Sequence, residues 1–493
     1  MALPYDKTSP ISIENYAIKL IGHTFEEVID NNVHDKIFAK ELKKYYNNPR
    51  SKGGLGLLIE KYFFFYEPNS DANPDFPEAG VELKVTPYEQ LSNKKYRAGE
   101  RLVLGMIPNN QPIETDFYKS DMLNKMELIL LILYLRDRDI DRIKYRINYV
   151  KLLHLLGEEC REDLEIIKAD YNIIVNKIQA GKAHELSEAD TMYLGACTKG
   201  STAKKSLQPQ YYNPNIKAKR RAFSLKQGYM TAVINKYIFP DVNTYEEILP
   251  SQTVDKETFE SIILSKIYQY QGLSESELRK RFNLEDNTSK DIFSLLVFAM
   301  LGIKSNQAEE FVKSNTVIRA LRVESNNKIK ESLSVPTLNF IKFSQEDWEE
   351  SEVYRYFSET RFLFTVYKKE GNDYILRDAF FWNMPMKDLE GIGREEWLSN
   401  QNIIRDGVSL KPKGTRVINN LPKSSNTQIF HLRPHATKSA YLINGRKYGN
   451  GDLERDTDLL PNGDRMVKQS FWLNNRYVES IVHQYSDVIN FKS

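Results

Sequence analysis

The chain repeats itself at about half its length, and that limits what it can fold into more than any other feature. Ser51-Lys52-Gly53-Gly54-Leu55-Gly56-Leu57-Leu58 lines up with Ser289-Lys290-Asp291-Ile292-Phe293-Ser294-Leu295-Leu296, a spacing of 238 positions. The same spacing carries Glu82-Leu83-Lys84-Val85 onto Ala320-Leu321-Arg322-Val323 without a gap between the blocks. Farther on, Phe223-Ser224-Leu225-Lys226 and Tyr229 match Phe471-Trp472-Leu473-Asn474 and Tyr477 at a spacing of 248. Blocks kept in order over such distances predict two tandem copies of one domain, residues 1–244 and 245–493. Each copy is long enough for its own core.

Within a copy the pattern is mixed. Ile13, Tyr16, Ala17, Leu20 and Ile21 recur at helical spacing in a helical stretch from Ile11 to about Tyr46. Gly22 breaks it, and Thr24 with Glu27 three residues later is a capping-box signal. A helix over Gly54–Phe65 leads into a loop from Glu67 to Pro77, then a short strand, Gly80–Thr86, expected to stop at Pro87. Arg101–Ile107 is a second strand candidate, and Leu128–Leu135 fits either a strand or a buried helix. Glu162–Gln179 and Glu257–Phe282 read as helices. The expected class is α/β: an α+β mixed sheet flanked by helices, built twice.

The chemistry sits before and on the first strand. Glu82 and Lys84 are two apart, so a strand points both to one face, and Asp75 lies just upstream. Two carboxylates, with the backbone carbonyl of Leu83, can hold a hard divalent cation such as Mg2+. Such a cation polarises a phosphate and lowers the pKa of an attacking water. Lys84 can orient that water or stabilise charge in the transition state. The pattern therefore predicts metal-dependent phosphodiester hydrolysis, although Glu and Lys also share the wet face of many ordinary strands.

Lys52-Gly53-Gly54-Leu55-Gly56-Leu57-Leu58-Ile59-Glu60, Asp75-Phe76 and Gly80-Val81-Glu82-Leu83-Lys84 resemble the core motif of the MutH mismatch-repair nuclease and its relatives, which include type II restriction enzymes cutting at GATC. Arg101-Leu102-Val103-Leu104, His184-Glu185-Leu186-Ser187-Glu188 and the run from Lys219 to Thr231 resemble the long, two-part GATC restriction enzymes more than MutH itself. The resemblance implies a restriction-endonuclease-like fold and adds Lys52 and Glu60 to the catalytic set of Asp75, Glu82 and Lys84. A further lysine of that family has no clear match; Lys125 is one option.

At the 238 spacing, Glu60 falls on Phe298, Asp75 on Lys313, Glu82 on Ala320 and Lys84 on Arg322. A copy without carboxylates cannot hold the metal, so the second domain is expected to bind DNA without cutting it, with Lys313 and Arg322 suited to an anionic backbone. By resemblance it is an allosteric effector domain that binds a second copy of the site.

The net charge is only +2, so DNA affinity must come from local clusters. From Lys199 to Lys226 there are eight lysines and arginines and no acid. Lys199, Lys219, Arg220 and Lys226 are the candidates there. By resemblance, the loop after Tyr193-Leu194-Gly195-Ala196-Cys197-Thr198-Lys199 reads bases, which makes Lys199 a guanine contact through O6 and N7. Phe430-His431-Leu432-Arg433-Pro434-His435 is the counterpart in the second copy. Arg433, His435 and Trp472 are its DNA-contact candidates. No acids or cysteines accompany His431 and His435 at zinc-ligand spacing.

The longest apolar run, Leu128–Leu135, falls far short of the roughly 20 residues a membrane span needs. The first residues lack a signal-peptide pattern. The two cysteines, Cys160 and Cys197, read as reduced thiols, so a cytoplasmic setting is expected. The reading is a magnesium-dependent type II restriction endonuclease acting on double-stranded DNA, monomeric in solution with a transient homodimer on a palindromic site. The alternatives are a methyl-directed nicking repair nuclease, a non-cleaving DNA-binding regulator, and a structural protein without DNA affinity.

Overall fold

A computed structural model describes residues 3–48, 54–67, 73–91, 95–137, 139–155, 157, 160–199, 206–239, 245–248, 256–329, 333–414 and 416–488. The chain forms two compact units. One comprises Met1–Phe259 with Gln307–Asn315, the other Glu260–Asn306 with Thr316–Ser493. No helix among the described residues is long and apolar enough to cross a membrane.

The first unit opens with helices α1 (Pro10–Ala17), α2 (Phe25–Asn32), α3 (Lys36–Asn47) and α4 (Gly54–Tyr62). The apolar pattern from Ile11 to Tyr46 is thus three helices. Gly22 turns the chain at φ +90°, where only glycine is at ease. Thr24 and Glu27 then form the expected capping box of α2, and Asp35 caps α3. There follow β1 (Val81–Gln90), β2 (Tyr96–Ala98), β3 (Leu102–Met106), α5 (Asp121–Met126), β4 (Leu128–Leu135), β5 (Ile147–His154), α6 (Arg161–Gln179), β6 (Leu194–Thr198), β7 (Leu207–Gln208), β8 (Ala218–Lys219), β9 (Arg221–Leu225) and α7 (Gln227–Tyr237).

Two sheets carry the unit, in strand orders β2-β1-β4-β5 and β3-β9-β6. In the first, β1 and β4 run parallel, with Glu82 beside Ile129 and Lys84 beside Leu131. β4 is the open helix-or-strand case. It is a central strand paired on both edges, which accounts for its near-continuous apolar run. Val81 and Leu83 turn into a core with Leu55, Leu58, Ile59, Leu130 and Ile132. Alternation then sends Glu82 and Lys84 to the opposite face.

Pro87 does not end β1; the strand continues to Gln90. Gly99 donates to the Pro87 carbonyl (2.8 Å). The donor Pro87 lacks is replaced by Arg136, whose Nη2 donates to the Gly99 carbonyl (2.8 Å). A Cβ at Gly99 would come within 2.8 Å of Pro87 Cγ and 3.0 Å of its carbonyl oxygen, so the close approach needs glycine.

The second unit follows a similar order. Its helices α8 (Lys256–Tyr268) and α9 (Glu275–Arg281) fill the helical segment expected over Glu257–Phe282. Gly272 turns the chain at φ +88°, and Ser274 with Glu277 forms a capping box, as Gly22, Thr24 and Glu27 do. Next come α10 (Ile292–Leu301), α11 (Glu309–Ser314, packed in the first unit), β10 (Thr316–Val323), β11 (Ser334–Thr337), α12 (Phe340–Gln345), α13 (Glu352–Glu359), β12 (Arg361–Glu370), β13 (Asp373–Trp382), the short α14 (Met386–Asp388) and α15 (Arg394–Asp406). The remainder is β14 (Lys411–Lys413), β15 (Arg416–Ile418), β16 (Phe430–Pro434), β17 (Ala440–Ile443), β18 (Arg446–Gly449), α16 (Leu453–Asp456), β19 (Thr457–Leu459), β20 (Arg465–Val467), β21 (Gln469–Leu473) and α17 (Asn475–Tyr485).

β10-β12-β13 has the directions of β1-β4-β5: first pair parallel, second antiparallel. β11-β21-β16 is antiparallel throughout, like β3-β9-β6. Both units even close the last ladder alike: Lys199 N–H donates to the Arg220 carbonyl, and His435 N–H to the Lys468 carbonyl, each at 2.8 Å.

Candidate active site and nucleic-acid surface

Asp75 is held by the turn that follows it. Phe76 and Val81 exchange backbone hydrogen bonds (2.9 and 3.2 Å), and Gly80 closes the turn at φ +67°. The Phe76 ring is buried against Tyr5, Phe64 and Tyr66. So anchored, Asp75 accepts the Leu83 N–H through Oδ2 at 2.9 Å. A residue's N–H and C=O leave an extended strand toward the same edge, so the Leu83 carbonyl faces the Asp75 side of β1.

Glu82 is 2% exposed. Its Oε1 accepts from Lys84 Nζ at 2.5 Å, and Lys125 Nζ, from α5, lies 3.7 Å from Oε2. That Oε2 is buried and makes no hydrogen bond. A buried carboxylate oxygen without a hydrogen-bonded partner is costly, and it is the atom a cation would engage. Burial pushes the Glu82 carboxyl up from its ordinary value. Lys84 and Lys125 oppose this and Asp75 adds to it. On α4, burial pushes Glu60 up to about 7, with Asp75 and Glu82 adding repulsion and Lys84 opposing.

Asp75, Glu82, Lys84 and Glu60 therefore act electrostatically as one group. Lys125, only an option in the sequence, belongs with them. Its signal was a lysine in the helix that feeds the central strand. Lys52 lies outside the described residues. No cluster of three or more His, Cys, Asp and Glu suited to a metal occurs among the described residues. The hard oxygen donors on offer are Asp75, Glu82 and the Leu83 carbonyl, a set that suits a divalent cation with part of its water shell retained.

A family model described as the DNA mismatch repair enzyme MutH matches residues 64–170, the stretch that holds Asp75, Glu82, Lys84 and Lys125. The type II restriction enzyme Sau3AI of Staphylococcus aureus is 33% identical over 508 aligned residues, which cover 95% of this chain and 99% of that one. The chain belongs to the MutH-like type II restriction endonucleases. It is a nuclease that cuts DNA, and the site on β1 stands in its MutH-matching segment.

The endonuclease also carries a basic sheet end. Lys199 follows β6, and its N–H bonds to the Arg220 carbonyl. Arg220 is exposed, while Lys199 and Lys219 are half-buried. Lys226 does not join them. It is 2% exposed, and its Nζ donates to the Thr191 carbonyl. It neighbours the fully buried Asp170, whose carboxylate accepts N–H groups of Met192, Tyr193 and Leu194 at 2.6–2.9 Å. The sequence assigned Lys226 to DNA because it closes a basic run. The structure makes it a core cation balancing Asp170. The Arg101 and His184–Glu188 blocks meet in an ion pair between the half-buried Arg101 and the buried Glu188.

In the second unit Arg433 and His435 are exposed and flank Trp472. The Arg433 guanidinium lies 4.8 Å from the indole centroid, and the His435 ring 5.9 Å. Trp472 Nε1 is buried without a hydrogen-bond partner. His431 is buried, which lowers its pKa; it is not part of that surface.

Strand pairing revises the ungapped repeat. Val81 opens the β1–β4 ladder with Leu128, and Thr316 opens the β10–β12 ladder with Arg361. Counting from these pairs, Glu82 corresponds to Val317 and Lys84 to Arg319. Asp75-Phe76 corresponds to Glu310-Phe311, and Gly80 (φ +67°) to Asn315 (φ +53°). Ala320 and Arg322 occupy the other face of β10, where Arg322 lies over the Phe293 and Tyr374 rings. Lys313 is 7% exposed and pairs with Asp163 (2.7 Å) and Glu309 (2.8 Å). Neither Lys313 nor Arg322 is free for an anionic backbone. The ungapped alignment missed this because a three-residue shift in a strand exchanges its faces.

Proposed function

We propose that this endonuclease is magnesium-dependent, cuts at GATC, and does so at one centre per chain, built from Asp75, Glu82, Lys84, Glu60 and Lys125 with Lys52. The observation that carries the reading is Glu82: a buried carboxylate set between two lysines, with one oxygen left without a hydrogen bond. A bound Mg2+ supplies Lewis-acid polarisation of the phosphate and a more acidic water. The protein does the rest. Asp75, pinned to the Leu83 N–H, and Glu82 present the oxygens. Lys84 orients the attacking water. Lys125 places a second cation where charge develops on the phosphate oxygens. Water adds to phosphorus, one phosphorus–oxygen bond breaks, and the leaving oxygen takes up a proton. GATC rests on the family resemblance and on the kinship with Sau3AI.

The second unit is proposed to be a degenerate copy that holds a second DNA site and activates cleavage. Val317 stands where Glu82 would and Glu310 where Asp75 would, so one of the two metal-holding carboxylates is gone, which supports binding without cutting. One centre cuts one strand, so two chains are proposed to pair transiently on the palindrome. Digestion of plasmids with no, one and two GATC sites in Mg2+, followed by sequencing of the ends, tests the whole reading. Linear products with ends at GATC, formed faster from two-site DNA, are expected. Stable nicked circles without linear product would replace it with a nicking repair nuclease.

A further inference from the structure

From Gly407 to Gly451 the chain carries no Asp or Glu, although acids number 67 among its 493 residues. The same stretch carries eight lysines and arginines. It folds largely as two hairpins and the strand between them. β14 pairs with β15, setting Lys413 beside Arg416. β17 pairs with β18 around Asn444-Gly445, both at positive φ (48° and 76°), as a tight two-residue hairpin turn requires. β15 lies against β18, so the two basic hairpins stand side by side.

These cations are presented, not buried. Lys411, Lys413, Arg416, Arg446 and Lys447 are all exposed. Among the described residues, none of the five pairs with a carboxylate, whereas Arg377 and Arg455 of the same unit are paired with Glu370 and Asp456. The hairpins are anchored from beneath: Tyr441 and Ile443 belong to the core of the unit, and Val417 and Tyr448 pack on it. The Arg446 guanidinium lies 5.4 Å from the Tyr448 ring, which steadies the charge near the turn. Holding two basic hairpins side by side without acids costs repulsion. A polyanion with closely spaced charges offsets that cost, and the charge-bearing backbone of duplex DNA is such a partner. The strand between the hairpins, β16, carries Arg433 and leads to His435, and both lie beside Trp472.

We propose that hairpins β14–β15 and β17–β18 clamp the sugar-phosphate backbone of a duplex seated on the second unit, with Arg416, Arg446 and Lys447 as its phosphate contacts. The inference rests on the reading that the second unit holds DNA. The full chain is titrated in EDTA, so that nothing is cut, with GATC-bearing and GATC-free duplexes of equal length over a range of salt. The unaltered chain is expected to bind two duplexes. Arg446→Ala/Lys447→Ala should weaken one of the two steps roughly tenfold or more, equally for both duplexes, and reduce its salt slope by about 2. Arg446→Lys should keep that step. Unaltered affinity and slope in the double variant, with an unaltered melting temperature, overturn the clamp, as does a loss confined to GATC-bearing DNA. If Arg433→Ala weakens one step and the double variant does not, the clamp alone fails. If neither variant changes either step, the reading of the second unit fails with it.

Discussion

Lys125 Nζ stands 3.7 Å from Glu82 Oε2, while Lys84 Nζ holds Oε1 of the same carboxylate at 2.5 Å. One lysine comes from the strand that carries Glu82, the other, 41 positions later, from α5. The two differ in what they can lose. Lys125→Ala should slow cleavage by roughly 10²–10³ and leave duplex affinity within a few-fold. Single-turnover rates beside anisotropy binding check this. Equal losses in rate and affinity would make Lys125 a binding residue only.

Glu60 should give the protein a pH signature. Its carboxyl is raised by burial to about 7 from an ordinary value of 4.5. The folded state thus holds a proton that the unfolded state has released between those values. Stability from this group is present below about 4.5 and falls as pH rises through about 7. In metal-free buffer, the melting temperature should decline over that window, and Glu60→Gln should flatten the decline. An unchanged profile in Glu60→Gln would remove Glu60 from the titrating cluster.

Lys226 and Arg220 should separate cleanly. Lys226→Ala leaves Asp170 as an uncompensated buried charge and should destabilise the fold by about 3–5 kcal/mol, seen as a lower denaturation midpoint. Arg220→Ala should leave the midpoint in place and weaken duplex binding several-fold, with a shallower salt slope. The reverse pattern would return Lys226 to the DNA surface.

Gly99→Ala tests how β1 is braced. The added Cβ meets the Pro87 ring and carbonyl at 2.8–3.0 Å, which should cost about 1–3 kcal/mol and disturb the β1–β2 edge. A thermal midpoint equal to that of the unaltered chain would show that the edge yields freely.

Much of this was legible in the sequence, for identifiable reasons. The Thr24–Glu27 capping box is a local signal, and it formed. That Glu82 and Lys84 share one face of β1 was legible because a two-residue alternation fixes the face of a strand whatever lies around it. What stayed hidden was set by tertiary contacts. Pro87 remains in β1 because Arg136 replaces its missing donor, a partner 49 positions away. Lys226 is neutralised by Asp170 of α6. Glu82 corresponds to Val317 and not Ala320 because pairing with a neighbouring strand, not linear spacing, sets the register.

The claim that the chain has a single cutting centre, in its first unit, is tested most directly by Glu82→Gln in a Mg2+ plasmid-cleavage assay run beside duplex binding. The variant keeps shape and fold but loses the buried charge. The expected result is no linear or nicked product above background, with duplex affinity kept and an unchanged or higher melting temperature. Cleavage by Glu82→Gln at the rate of the unaltered chain would contradict the account and place the centre elsewhere.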